Sequence, residues 1–175
     1  MVACFSYIDS GVASLARNPS EISLRELCDL KEAKEVFVSS YGFSFDDVQL
    51  YLPSCENITV VDNYDRGSKK RSIHRPFPKF APGLSFVYPP FSSAAGDGVQ
   101  HSKLLMIQSD NILRIAISSS NFCAHAMTDI SQAFWIIDLP KLEQVNVGQR
   151  QPKRFALDLA EFVRSLLNVP GELAK

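Results

Sequence analysis

Two periods of apolar residues run along the chain, and together they predict a layered α/β fold. Short β-branched and aromatic runs mark strands at Glu35–Ser40, Asn57–Asp62, Leu84–Tyr88, Lys103–Gln108, Ile112–Ser118 and Ser131–Ile137, the last ended by Pro140. The runs through Leu104–Ile107 and Ile112–Ile117 are continuous rather than alternating, which predicts burial on both sheet faces. Ala3–Ile8 is a shorter apolar run, an edge strand or a packed N-terminal arm.

Helical spacing separates these runs. Ile22, Leu27 and Leu30 share a helical face, with Ser20 or Ser23 as the cap. Ser44 opens a second helix with Asp46 and Asp47 in its first turn, and Phe45, Val48 and Leu52 repeat until Pro53 stops it. The longest helix is predicted over Arg154–Leu167, where Phe155, Leu159, Phe162, Val163 and Leu166 form one apolar stripe that ends before Pro170-Gly171.

The order strand, helix, strand over residues 35–62 implies a parallel pair joined by a right-handed crossover. By contrast, the strands on either side of Ser109-Asp110-Asn111 are too close for a crossover. They form an antiparallel hairpin, and Asp-Asn suits the positive φ of a tight turn. Residues 63–82 are polar, basic and proline-containing, so no core element is expected there. The expected architecture is a mixed β-sheet sandwiched between α-helices, in one domain spanning residues 1–175.

Composition narrows the class without naming a function. At 175 residues with 46% hydrophobic content, the chain is long enough to bury a continuous core. Its net charge of −1 gives no global field to recruit nucleic acid or membrane. A polyanion must then be met locally, and the candidate is the basic run Arg66, Lys69, Lys70, Arg71, His74 and Arg75 with Lys79 nearby. Cys4, Cys28, Cys55 and Cys123 are scattered without metal-ligand spacing, which fits a reduced intracellular chain. No signal peptide opens the chain, and no apolar run approaches the roughly 20 residues that span a bilayer.

The chemistry concentrates in 21 residues. His101 and Lys103 are one residue apart at the mouth of a buried strand, facing the same way on extended backbone. The following strand closes with Ser118-Ser119-Ser120-Asn121, delivering an amide to the same end. A neutral imidazole is a competent nucleophile towards phosphorus and divides a difficult displacement into two steps. Lys103 and Asn121 are donors suited to the negative charge that grows on the phosphate oxygens. No cofactor is called for, and Asp62, Asp65, Asp97, Asp110 and Asp129 fall in separate segments, so no carboxylate cluster offers itself to a metal.

His101-Ser102-Lys103 with its apolar strand, Leu113–Ile117, and Ser120-Asn121-Phe122 together resemble the tyrosyl-DNA phosphodiesterase family, a branch of the phospholipase D superfamily. The wider superfamily has an aspartate five residues after the lysine; this chain has Gln108, and the tyrosyl-DNA phosphodiesterase branch also lacks that acid. The resemblance runs from about Ser23 to Val169. It implies that His101 forms a phosphohistidine while Lys103 and Asn121 grip the phosphate oxygens. Tyr41, in Ser39–Phe43, would contact substrate, Ser119 would line the binding site, and Gln132 would orient a catalytic histidine. The implied reaction is metal-free hydrolysis of 3′-phosphotyrosyl and related 3′ adducts on single-stranded DNA ends, in DNA repair, with a nuclear location.

Two departures qualify the resemblance. The family usually has a stacking aromatic four residues before the histidine, where this chain has Asp97; stacking is worth about 1–3 kcal/mol per base, so the expected substrate grip is either weaker or supplied by Phe91 or Tyr88. The family also pairs two similar halves, the second bringing another His, Lys and Asn, with the second histidine as general acid. Neither His74 nor His125 has a lysine two residues on. The chain thus reads as a phospholipase D-like half domain, or as a homodimer with one composite site, or as a degenerate relative that binds nucleic acid or protein without turnover. The first half alone is the expectation, because the helix over 154–167 ends that half at a natural boundary.

Overall fold

A computed structural model describes residues 2–5, 22–52, 54–63, 73–78, 81–89, 99–124, 126, 132–141 and 154–167. Its frame is an eight-stranded mixed sheet. In chain order the strands are β1 (Val2–Phe5), β2 (Glu35–Ser39), β3 (Asn57–Val61), β4 (Ile73–Pro76), β5 (Leu84–Tyr88), β6 (Leu104–Gln108), β7 (Ile112–Ser118) and β8 (Ala133–Pro140). They lie side by side as β1-β8-β7-β6-β2-β3-β5-β4. The β2–β3 and β3–β5 pairs are parallel, whereas β6 runs antiparallel to β2. The ends of β2 and β3 and the start of β6 therefore meet at one edge.

Side-chain alternation divides the core into two layers. Val36, Val38, Ile58, Val60, Leu84, Phe86, Leu105, Ile107, Ala116 and Phe134 pack on one face of the sheet. Helices α1 (Leu24–Cys28) and α2 (Phe45–Tyr51) lie in that layer, through Leu24, Leu27, Cys28 and Val48. On the opposite face Phe37, Val61, Val87, Leu104 and Ile115 meet helix α3 (Arg154–Leu167) through Leu159, Val163, Leu166 and Leu167. The helix-covered mixed sheet is thus realised, and β6 is covered on both faces, whereas in β7 Ile117 is 45% exposed, so the expected burial of both faces does not extend along that whole run.

Local chemistry explains where the first two helices begin. Ser23 caps α1 in a capping box with Glu26, and Ser44 caps α2 in one with Asp47. Each serine accepts a backbone N–H that the first turn would leave orphaned. Gly42 adopts φ 71° between β2 and α2, a conformation that a glycine takes without steric cost. At the far end of the sheet the 109–111 turn differs from expectation, since neither Asp110 nor Asn111 has positive φ. Ser109 makes that unnecessary: its Oγ accepts from Ile112 N at 3.1 Å, and its N–H donates to Ile112 O at 2.9 Å.

Two further elements differ from the sequence reading, and a third resolves an alternative it left open. β4 lies within residues 63–82, where no core element was expected, and it pairs antiparallel with β5 at the sheet edge. His74, Arg75 and Pro76 are exposed, so an edge position accommodates both the charge and the proline. β1 is the other edge, antiparallel to β8, which selects the edge-strand reading of the N-terminal apolar run. The α3 stripe is only partly buried: Phe155 and Phe162 are exposed, and the helix meets the sheet along Leu159, Val163, Leu166 and Leu167 instead. Phe155 flanks this contact and meets the Trp135 ring edge-on at 6.3 Å.

No helix among the described residues is long and apolar enough to cross a membrane. Ser20, Pro53, the basic run from Arg66 to Arg71, Lys79, Phe91, Asp97, His125 and the Pro170-Gly171 stop lie outside the described residues.

Candidate active site

The edge shared by the ends of β2, β3 and β7 and the starts of β6 and β8 collects the candidate side chains. His101 and Lys103 sit just before β6, and Ser118 N donates to Lys103 O at 3.2 Å, which fixes the end of β7 beside them. His101 is exposed and Lys103 half-buried. Lys103 Nζ lies 2.8 Å from His101 Nδ1 and also donates to His101 O at 2.8 Å. Tyr41, 41% exposed at the end of β2, presents its ring edge-to-face to His101 with centroids 5.9 Å apart. Three residues from two distant segments, Tyr41, His101 and Lys103, therefore form one cluster.

The 2.8 Å contact constrains the imidazole. With the ammonium of Lys103 donating to Nδ1, a neutral His101 holds its proton on Nε2. An incoming anion that draws Lys103 away frees Nδ1 to take the proton, and the lone pair then lies on Nε2. Partial burial holds the Lys103 pKa below its ordinary 10.5.

Asn121 occupies the turn after β7, and its neighbours are anchored firmly. Phe122 is buried and stacks on Phe134 at 6.2 Å, while its N–H donates to Ser40 Oγ at 2.9 Å. Ala124 N donates to Asp47 Oδ1 at 2.9 Å, so the acid that caps α2 also holds this turn. Asn121 Oδ1 is buried and has no hydrogen-bond partner among the described residues. An unpaired buried carbonyl is costly, and a donor on a bound molecule is one way to satisfy it.

Ser119 and Gln132 pair with one another across β7 and β8. Ser119 Oγ donates to Gln132 Oε1 at 2.8 Å and accepts from Ala133 N at 3.0 Å. The hydroxyl proton of Ser119 is thereby committed to Gln132. Tyr88, named as a stand-in for the missing stacking aromatic, lies against Phe86 at 6.5 Å with the Arg75 guanidinium 5.9 Å from its ring centroid.

A layer of polar groups beneath His101 and Lys103 escaped sequence reasoning. Gln100 is only 4% exposed, and Ser39 and Asp62 are buried too. Gln100 Oε1 accepts from Ser102 N at 2.7 Å, and Nε2 donates to Ser102 Oγ at 2.8 Å and to Ser39 Oγ. Asn63 Oδ1 accepts from Gln100 N at 2.7 Å. Asp62 Oδ1 in turn accepts from Asn63 N at 2.6 Å and from Gly42 N at 3.0 Å. The only sequence signal was the placing of Ser39-Ser40 and Asp62-Asn63 at the ends of buried runs, where polar residues must find partners.

Burial raises the Asp62 pKa above its ordinary 3.8, against the opposing pull of the Asn63 and Gly42 N–H groups. The folded chain thus binds this proton more readily than the unfolded one. The resulting stabilisation is fully present below about pH 3.8 and is lost as pH rises through the folded-state pKa. Asp62→Asn keeps an oxygen for both N–H groups and removes the titration. Its urea midpoint relative to wild type should therefore be higher at pH 7 than at pH 4; a pH-independent difference would show that Asp62 does not titrate with folding.

A groove of about 780 Å³ lies elsewhere. Glu32, Lys34, Cys55, Glu56 and Asp110 line it at the opposite end of β2 and β3. Lys34 and Asp110 pair with each other there. No three His, Cys, Asp or Glu side chains among the described residues converge as a metal-ligand group.

A mixed sheet with helices on both faces and this strand order is a phospholipase D-like fold. The tyrosyl-DNA phosphodiesterase family model matches residues 3–173, and the chain belongs to that family. Among solved structures, yeast tyrosyl-DNA phosphodiesterase matches with TM-score 0.67 at 18% identity over 96% of this chain. A histidine-to-asparagine variant of the yeast enzyme gives 0.69 at 18% identity over 97%. A histidine-to-arginine variant of the yeast tyrosyl-DNA phosphodiesterase 1 gives 0.68 at 18% identity over 97%. The chain spans only 38% of the length of each of these three. No curated protein matches it.

Proposed function

We propose that this chain is a single phospholipase D-like domain supplying one half of a composite site that cleaves 3′-phosphotyrosyl and related 3′ adducts from single-stranded DNA ends. The observation that carries the reading is the contact of Lys103 with His101 beside the Tyr41 ring. In the first step His101 Nε2 attacks phosphorus, the N–P bond forms and the P–O bond to the tyrosine oxygen breaks. The departing phenolate takes its proton from a general acid in the second half, matching the family's second histidine. Water then attacks phosphorus, giving its proton to the second-half group that acted as the acid, and the N–P bond breaks to release His101 and a 3′-phosphate. Lys103 and Asn121 stabilise the charge on the phosphate oxygens. Tyr41 and Ser119 bind substrate, and Gln132 acts as a supporting residue through Ser119. No cofactor takes part, and the setting is nuclear DNA repair.

A half-site makes a distinctive prediction. Tyrosine is a poor leaving group without an acid, but a nitrophenolate leaves unaided. An oligonucleotide carrying a 3′-(4-nitrophenyl) phosphodiester should therefore give a burst of about one nitrophenolate per chain and little further turnover, with an acid-labile adduct visible by mass. His101→Ala should give neither burst nor adduct. No burst from wild type, even at high protein concentration, would overturn the catalytic reading. Salt-sensitive binding that persists in His101→Ala without any burst would instead identify a nucleic-acid-binding module.

A further inference from the structure

We infer that Gln100 is a positioning residue that sets how His101 and Lys103 face one another, an inference that rests on reading those two as the reacting pair. Its side chain does not reach outward: it is 4% exposed and spends its amide on Ser102 and Ser39. Ser102 is the residue between His101 and Lys103. On extended backbone its side chain points opposite to theirs. Gln100 grips two polar groups of Ser102, accepting from its N–H at 2.7 Å and donating to its Oγ at 2.8 Å. Holding Ser102 inward thus turns its two neighbours outward together.

The grip is itself tied to two strands. Ser39, at the end of β2, contacts both Gln100 Nε2 and Ser102 Oγ. Asn63, beyond β3, accepts from Gln100 N, and Asp62 joins Asn63 to Gly42, the residue after Tyr41. The ring that touches His101 and the backbone that presents it thereby hang on one hydrogen-bonded chain running Gly42, Asp62, Asn63, Gln100. Satisfying a buried amide would need only some set of partners. Here every partner lies on the residues that frame the reacting pair.

The test reads His101 directly. Gln100→Leu keeps the volume and removes the amide, and ¹⁵N spectra of His101 report the tautomer set by the Lys103 contact. The variant should shift the Nδ1 and Nε2 resonances towards a tautomer mixture and slow the nitrophenolate burst about 10²-fold, with a smaller change in KM. Gln100→Glu, whose carboxylate still accepts from Ser102 N–H and from both hydroxyls, should restore the wild-type pattern in large part. Should Gln100→Leu lose its fold, Ser102→Ala removes only the hydroxyl and should move the same resonances less far in the same direction. Wild-type His101 resonances in folded Gln100→Leu, or in Ser102→Ala where Leu does not fold, would overturn the inference. The spectra need no substrate, so an absent burst in wild type counts against the phosphodiesterase reading alone.

Discussion

Gly83→Ala is expected to lower stability by about 3 kcal/mol or more, because the added methyl has nowhere to go. A Cβ at Gly83 falls 1.6 Å from Glu56 O, 2.7 Å from Glu56 C and 2.9 Å from Asn57 Cα. All three are backbone atoms, so no side chain can swing aside. Gly83 has no left-handed φ to protect; closeness alone requires glycine here. Its carbonyl accepts from Ile58 N at 2.9 Å, which begins the parallel β3–β5 ladder. Separating the strands to admit a methyl strains that bond and the buried Ile58 and Leu84 behind it. Urea unfolding should show a lower midpoint with an unchanged slope. A loss under about 1 kcal/mol would mean that the turn at residues 81–83 yields easily, against the packing seen.

Legibility in the sequence follows how local each interaction is. The apolar runs at 36–38, 58–61 and 104–107 are self-contained signals, and their burial on both faces made them readable. Ser44 and Asp47 complete a capping box within four residues, so that helix start was readable too. β4 was not, because an exposed edge strand bearing His74, Arg75 and Pro76 has no hydrophobic period to show. Phe155 and Phe162 looked like core because helical spacing gives a stripe but not the width of the surface it meets.

The candidate site divides in the same way. His101, Lys103 and Asn121 lie on one hairpin, so their chemistry could be read from spacing. Gln100 meets Ser39 across 61 positions and Asn63 across 37, and nothing local announces such bonds. Gln108, where the wider superfamily carries an acid, pairs with Glu35 at the far end of β6 from His101. That departure therefore lies at the opposite end of the strand from His101 and Lys103.

Lys103→Met should slow the nitrophenolate burst by about 10²–10³-fold, the range found when one preorganised donor to a developing oxyanion is removed. Methionine keeps the length of the side chain and removes only the ammonium that lies 2.8 Å from His101 Nδ1. Charge alone should not suffice. Lys103→Arg replaces a compact point donor by a planar fork, so it should recover only a small part of the rate. The pH profile gives an independent check. Lys103 acts while protonated, and burial sets its pKa below 10.5, so the wild-type rate should fall on an alkaline limb beginning below that value. The methionine variant has no such group to lose, and its residual rate should be flat across the same range. An alkaline limb retained in Lys103→Met would assign the titration to another group and remove the argument that Lys103 stabilises the transition state.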